Sequence, residues 1–363
     1  MGEPRILLIR PDHLGDVLFT LPAAMALRRS VPSARLTYLV ATGLEPVPNR
    51  CPAVDETLVL PFPPPHAPEG SGGTVTDSAA STLRERFDIA VVLRPHDPWS
   101  GSLVRLAGIP VRVGFATGGM DRFLTETVQE TRNRHAVLLA HDVMTMAFHR
   151  LNGSTPKGSP PPTPSPADRP FVPSEADEKD ADDAMARLRE VTGTRPLIVH
   201  PGTGWTLKNW SPARWGELAF ELHRRFETRP VVTGGHGEEE LVQKVVAQSA
   251  GAAVSLSPPL GLGAFAALLS RAAMVVASDS GPLHLAAMVG APVIGLFGPG
   301  SPALATPWCP PERRRIVRVD LPCSPCGVMH DPPCGATSEP ACVTKVNVES
   351  VLRAIESLGP RVP

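Results

Sequence analysis

A chain of 363 residues with 35 Lys and Arg against 36 Asp and Glu carries a formal net charge of −1, which excludes the global positive field by which proteins gather nucleic acid or anionic membrane. The length points to roughly two domains at ~100–200 residues each, and six cysteines in a chain this long do not make a disulfide scaffold. No apolar run approaches the ~18 residues of a membrane-spanning helix, although a peripheral membrane contact stays open, and Met1 leads into a strand-like run without the regions of a signal peptide, so a cytoplasmic protein is expected.

Ile6 to Ile9 is a continuous apolar run of the kind a buried parallel strand uses. It feeds the loop Arg10-Pro-Asp-His-Leu-Gly-Asp16 and then a helix over Val17 to Arg29, with Pro22 marking a kink or the true start. Leu36 to Val40, Thr57 to Leu60, Ile89 to Leu93 and Arg112 to Gly114 read as further strands with helices or loops between them. Pro61 to Ser81 is too rich in Pro and Gly for a packed element and reads as a mobile surface insertion. An amphipathic helix over His135 to Leu151 closes this first half, residues 1–152.

Residues 153–173, with their Gly-Ser-Pro-Pro-Pro-Thr-Pro-Ser-Pro run, are the clearest break in composition and predict a polyproline-like linker without core residues before Phe171. An acidic, capped helix over Ser174 to Glu190 opens the second half, 174–345. Strand and helix then alternate: Leu197 to His200, Ser211 to Phe226, Val231 to Thr233, Glu238 to Ala250, Ala253 to Leu256, Leu262 to Arg271, Met274 to Ser278, Pro282 to Val289 and Val293 to Phe297. Such alternation means a parallel sheet covered on both faces. A last helix over Val346 to Leu358, in the segment 346–363, is expected to pack back on the first half.

Ligands of doubly wound sheets bind at the carboxyl ends of the strands, and each candidate loop follows a strand. The turn from Ser278 through Asp279, Ser280 and Gly281 to Pro282 leaves backbone N–H groups unpaired at a helix start, a site for phosphate or diphosphate, with His284 one turn in on the ligand side. The same residues could serve only as a helix cap and a packed histidine. Asp16, beside Gly15, is either a general base or an N-cap. In the loop from His200 to Trp210, Thr203 offers a hydroxyl and Lys208 a point charge for phosphate, or Lys208 is simply solvated. The turn Gly234-Gly-His-Gly-Glu-Glu-Glu240 places three carboxylates where they complement a helix dipole or, for one of them, meet a sugar hydroxyl. Cys323, Cys326, Cys334 and Cys342 are spaced C-x2-C-x7-C-x7-C. They could hold a structural zinc, but the second pair lacks zinc-ribbon spacing, so disulfides or free thiols stay open and no catalytic role is assigned.

Taken in order, Ile6 to Ala24, His200-Pro-Gly-Thr-Gly204 with Lys208 to Trp215, Asp279 to Ala287, and Leu296-Phe-Gly-Pro299 resemble glycosyltransferase family 9, the ADP-heptose:lipopolysaccharide heptosyltransferases. Cys323-Ser-Pro-Cys326 and Ala341-Cys-Val343 are similar to family members as well. The resemblance implies an α/β, GT-B fold: two Rossmann-like domains facing across a cleft, acceptor on the first and nucleotide sugar on the second. It implies an inverting transferase moving heptose from ADP-heptose to a glycan or glycolipid acceptor such as lipopolysaccharide inner core. The alternatives are another nucleotide sugar or a secondary-metabolite acceptor within the same family, or a non-catalytic sugar-nucleotide binder. By matching motif, Asp16 is the base, with His13 and Gly15 on the acceptor-side loop. Thr203, Gly204 and Lys208 form the donor-phosphate loop; Ser280, Gly281 and His284, with Asp279 nearby, form the diphosphate turn; Leu260 lies at the adenine. Neither a resident cofactor nor a catalytic metal is implied. Where some members carry a donor-facing Glu, this chain reads Gly-Gly-His-Gly, leaving Glu238 or its neighbours to substitute.

Overall fold

The computed structural model describes residues 3–62, 77–152, 159–193 and 195–359. The chain forms two compact units, Met1–Val172 and Pro173–Pro363. In the first, the elements run β1 (Arg5–Ile9), α1 (Leu14–Ser30), β2 (Arg35–Ala41), α2 (Pro46–Asn49), β3 (Glu56–Leu60), α3 (Asp77–Ser81), β4 (Ile89–Val92), α4 (Pro98–Leu106), β5 (Val111–Phe115), β6 (Glu126–Val128) and α5 (Ala136–Asn152). In the second they run α6 (Glu175–Thr192), β7 (Leu197–His200), α7 (Pro212–Phe226), β8 (Val231–Val232), α8 (Glu239–Gln248), β9 (Val254–Ser255), α9 (Leu262–Arg271), β10 (Met274–Ser278), α10 (Gly281–Met288), β11 (Val293–Leu296), α11 (Pro302–Ala305), β12 (Arg314–Val317), α12 (Ala341–Thr344) and α13 (Val348–Leu358).

Both sheets are six-stranded and parallel, in the orders β3-β2-β1-β4-β5-β6 and β12-β11-β10-β7-β8-β9. Each therefore reverses strand order once, between β1 and β4 and between β7 and β10. That switch point is where the loops diverge and leave a crevice at the strand tips. The apolar runs form the buried strands at the sheet centres, with Ile6, Leu7, Leu8 and Ile9 wholly inaccessible, as are Met274, Val275 and Ala277.

Several expectations need adjusting. Helix α1 begins at Leu14, eight residues ahead of Pro22, which lies buried inside it. Of the Pro-rich insertion, residues 63–76 fall outside the described residues, and Asp77–Ser81 is helical. The described part of the 153–173 linker is not free of packing: Pro161, Pro164 and Pro170 are buried. His141 Nε2 lies 3.0 Å from the Pro161 carbonyl, and the Val172 amide donates to the Arg50 carbonyl at 2.8 Å. A chain with few amide donors thus runs as a strap along the first unit. Helix α13 belongs to the second unit. Its apolar stripe, Val348, Val351, Leu352 and Ile355, is 0–4 % exposed within the second unit's core, against α7, β11 and β12. Arg225 on α7 binds Glu349 at 2.8 Å and Glu356 at 2.6 Å, which fixes α13 to its own unit.

Candidate active site

In the first unit the tips of β1 and β4 carry the charged groups. Parallel register pairs Ile9 with Val92, so Arg10 and Arg94 emerge side by side from segments more than eighty residues apart. Arg10 Nη1 donates to the Leu93 carbonyl at 2.7 Å, and its Nη2 donates to Asp12 Oδ2 at 3.2 Å and lies 2.9 Å from Asp16 Oδ1. Arg94 Nε lies 3.4 Å from Asp12 Oδ2. Burial pushes the Asp12 carboxyl above its usual range, with Arg10 and Arg94 opposing the shift.

The N-cap of α1 is His13, whose side chain makes no capping bond. Gly15 and Asp16 therefore lie in the first helical turn, and Asp16 is not the cap. Its side chain is 38 % exposed, open at the strand-tip end of the sheet.

In the second unit β7 ends at His200, whose ring is buried, 3.0 Å from Thr233 Oγ1 through Nδ1 and 3.7 Å from Glu238 Oε2 through Nε2. Burial pulls its pKa down to about 4, against the opposing pull of Glu238. Glu238 accepts from the Gly235 amide at 2.7 Å and folds over Gly202, where a Cβ would meet Glu238 Oε1 at 2.2 Å. Glu239 instead accepts from the Gly237 amide, and Glu240 pairs with Lys244. Of the three acidic residues, Glu238 is the one turned toward the β7 tip.

Thr203 is engaged in its own loop: Oγ1 accepts from the Trp205 amide at 3.0 Å and lies 2.7 Å from the Trp205 carbonyl and 3.1 Å from Asn209 Oδ1. It shapes the turn that ends in Lys208. Gly204 is exposed with open space where a Cβ would be, so the position that requires glycine is Gly202.

Lys208 is paired and largely covered rather than free in solvent. Its Nζ sits 2.6 Å from Asp279 Oδ2, with the two side chains 16 % and 4 % exposed. Asp279 follows β10, and its other oxygen lies 3.4 Å from His284 Nε2. His284, expected on the ligand side, is turned inward and 3 % exposed. Gly300 closes over the pair, since a Cβ there would meet Asp279 Oδ2 at 2.2 Å. Burial drives the Asp279 carboxyl up, but the His284 hydrogen bond and the Lys208 charge outweigh it and hold the carboxyl below its ordinary range.

Ser280 caps α10 with extended backbone and makes no side-chain cap bond, and its Oγ is buried without a hydrogen-bond partner among the described residues. At the start of α10 the Leu283 and His284 amides turn back to the Ser280 carbonyl and Pro282 has no N–H, which leaves the Ser280 and Gly281 amides beside the Lys208–Asp279 pair, an arrangement suited to an anion. Leu260 is half-buried in the loop between β9 and α9; Phe265 of α9 packs against the His200 ring at 5.9 Å.

The clustered cysteines are free thiols: Cys323 and Cys334 exposed, Cys326 half-buried, Cys342 buried. Among the described residues no three His, Cys, Asp or Glu side chains converge as metal ligands. The segment is docked on the loop after β11, with Ser324 Oγ donating to the Gly298 carbonyl at 2.8 Å and Gly327 N to the Pro299 carbonyl at 2.9 Å. Sequence reasoning missed Arg10, Asp12, Arg94 and Gly202; only the spacing of Arg10, Asp12 and Asp16 around one turn hinted at the first two.

A profile described as glycosyltransferase family 9 (heptosyltransferase) matches residues 78–334. The chain is 25 % identical to lipopolysaccharide heptosyltransferase 1 of Pseudomonas aeruginosa over 98 % of each chain. Among solved structures it is similar to a family 9 glycosyl transferase from Veillonella parvula (TM-score 0.76, 23 % identity, 99 % of this chain and 98 % of that one). It is also similar to E. coli ADP-heptose lps heptosyltransferase II (TM-score 0.73, 22 % identity, 98 % of each chain). The two parallel α/β units are those of the GT-B fold these proteins share.

Proposed function

The chain belongs to glycosyltransferase family 9, and we propose that it is an inverting transferase that moves a heptose from ADP-heptose to a hydroxyl of a lipopolysaccharide inner-core acceptor. The observation that carries this reading is the Lys208–Asp279 pair beside the open amino end of α10 at the β7/β10 switch point. A cation and unpaired amides so placed favour a diphosphate, and favour it most as it departs with an extra negative charge.

On this reading, Asp16 accepts the proton of the acceptor hydroxyl while that oxygen bonds to the anomeric carbon and the carbon–oxygen bond to the diphosphate breaks. The displacement is single, so the anomeric configuration inverts, through an oxocarbenium-like transition state. Lys208 and the Ser280 and Gly281 amides take up the charge on the leaving group, and Glu238, over Gly202, meets a donor hydroxyl. Thr203, Asp279 and His284 act by holding these groups in place. The step uses no resident cofactor. No helix among the described residues is long and apolar enough to cross a membrane, and a glycolipid acceptor calls for a peripheral contact from the cytoplasmic side.

The test is incubation with ADP-heptose and heptose-free lipopolysaccharide acceptor, following ADP release and product mass. Asp16→Asn is expected to lower transfer by about 10²–10⁴-fold, the usual worth of a general base, and to leave ADP binding unchanged. Transfer by the variant at the native rate would remove Asp16 from this role, and absence of transfer by the native protein would refute the reading.

A further inference from the structure

We propose that Arg10 is a positioning residue for Asp16, gripping its carboxylate by one oxygen, and that buried Asp12 and Arg94 complete a four-member ion cluster that sets the charge around it. The inference rests on Asp16 being the base.

The geometry that points to it is the division of labour within one guanidinium. Nη1 is tied to the Leu93 carbonyl at 2.7 Å, which fixes Arg10 to the neighbouring strand. Nη2 reaches Asp16 Oδ1 at 2.9 Å, and Nε lies 2.6 Å from Asp12 Oδ1. The side chains of Asp12, Arg10 and Arg94 are 8 %, 12 % and 28 % exposed, that of Asp16 38 %. Asp12 and Arg10 face inward, Arg94 is half-buried, and Asp16 is the most exposed of the four. Arg10 meets Asp16 through Oδ1, and on this inference the proton of the acceptor goes to the other carboxylate oxygen.

An arginine needed only to join β1 to β4 would stop at the Leu93 carbonyl. A second carboxylate buried beside Asp16 costs desolvation and like-charge repulsion, and it makes sense as a counterweight. Arg10 and Arg94 offset the burial of Asp12, and the two guanidiniums and two carboxylates sum to no net charge. The charged groups around Asp16 are thus Arg10 from the β1 tip, Asp12 from the loop and the amino end of α1 itself, with His13 and Arg94 acting on Asp12.

The two neighbours then push the acid limb of the rate profile in opposite directions. In Arg10→Met, kcat for heptose transfer is expected to fall about 10²-fold, the scale of a misplaced reacting group, with the ADP-heptose KM within twofold of native. Its acid limb should move up, because an adjacent cation has gone. In Asp12→Asn the limb should move down. Arg10→Lys keeps the charge and should keep the native limb while recovering only part of kcat, and it stands in if Arg10→Met fails to fold, as judged by loss of the ADP-induced rise in melting temperature. Native transfer with limbs that stay put, or move the same way in both variants, overturns the inference alone. No transfer by the native protein overturns it together with the reading beneath it.

Discussion

Replacing Asp279 with Asn removes a charge and keeps the volume. In the folded protein this carboxylate is 4 % exposed and faces Lys208 Nζ at 2.6 Å and His284 Nε2 at 3.4 Å. Its pKa is set by burial, which raises it, and by His284 and Lys208, which together bring it below the ordinary value. A carboxyl depressed on folding contributes stability that is fully present above the unfolded value of about 4 and is lost only as pH falls through the lower folded value. The variant leaves the Lys208 ammonium, 16 % exposed, without its counter-charge. Breaking a buried pair from one side costs about 3–5 kcal/mol, and the partial access of water to Lys208 favours the lower figure. At about 2–4 °C per kcal/mol for a unit of this size, melting should fall by about 6–12 °C. Calorimetric melts of both proteins from pH 5 to 8 should show that gap nearly constant, and it should narrow below about pH 4 as the native carboxyl protonates. Equal melting temperatures at pH 7 would refute the reasoning, because the pair would then contribute nothing net.

Gly202→Ala would place a methyl 2.2 Å from Glu238 Oε1 and drive that carboxylate off the β7 tip. The ADP-heptose KM should rise about tenfold or more, the worth of a charged hydrogen bond, and an unchanged KM in initial-rate assays would separate Glu238 from the donor. His200, with its pKa pulled by burial to about 4, is protonated in the unfolded chain near 6.5 but not in the folded one, so stability should fall as pH drops from 6.5 toward 4. His200→Gln should lose less over that window in urea titrations, and equal slopes for the two proteins would remove His200 as the cause. Leu352→Ala, at a position 1 % exposed in the second core, should cost about 2–5 kcal/mol, and an unshifted urea midpoint would place α13 outside the core it completes.

The central strands and the long helices were legible because burial on both faces leaves a run such as Ile6–Ile9 with no polar residue to blur it. Edge elements were not. Strand β12, Arg314–Val317, carries two arginines in four residues and earns its place by pairing with β11. The start of α1 was hidden because His13 is not a capping residue type and the segment is apolar on nearly every side. Helix α4, which the sequence reading left undefined between two strands, starts with Asp97 accepting from the Ser100 amide at 3.1 Å and Pro98 following. At the site, the Ser280 turn and Lys208 could be found from their loops, but their partnership could not: Lys208 and Asp279 are 71 residues apart, and only the β7/β10 pairing brings them together.

The same topological step explains why a chain with a net charge of −1 holds concentrated local fields. At a switch point two adjacent strands end with their loops turning opposite ways, so side chains from both tips meet without a helix between them. In the first sheet that junction gathers Arg10, Asp12, Asp16 and Arg94, and in the second Lys208, Asp279 and His284. Opposite charges so placed compensate each other's desolvation and stand fixed before any substrate arrives, which is the condition under which they stabilise a transition state rather than reorganise around it. Because the fixed geometry comes from parallel register, a change that slips β1 against β4 by one residue would turn Arg10 to the opposite face of the sheet and abolish the first cluster while leaving every residue of it in place in the sequence.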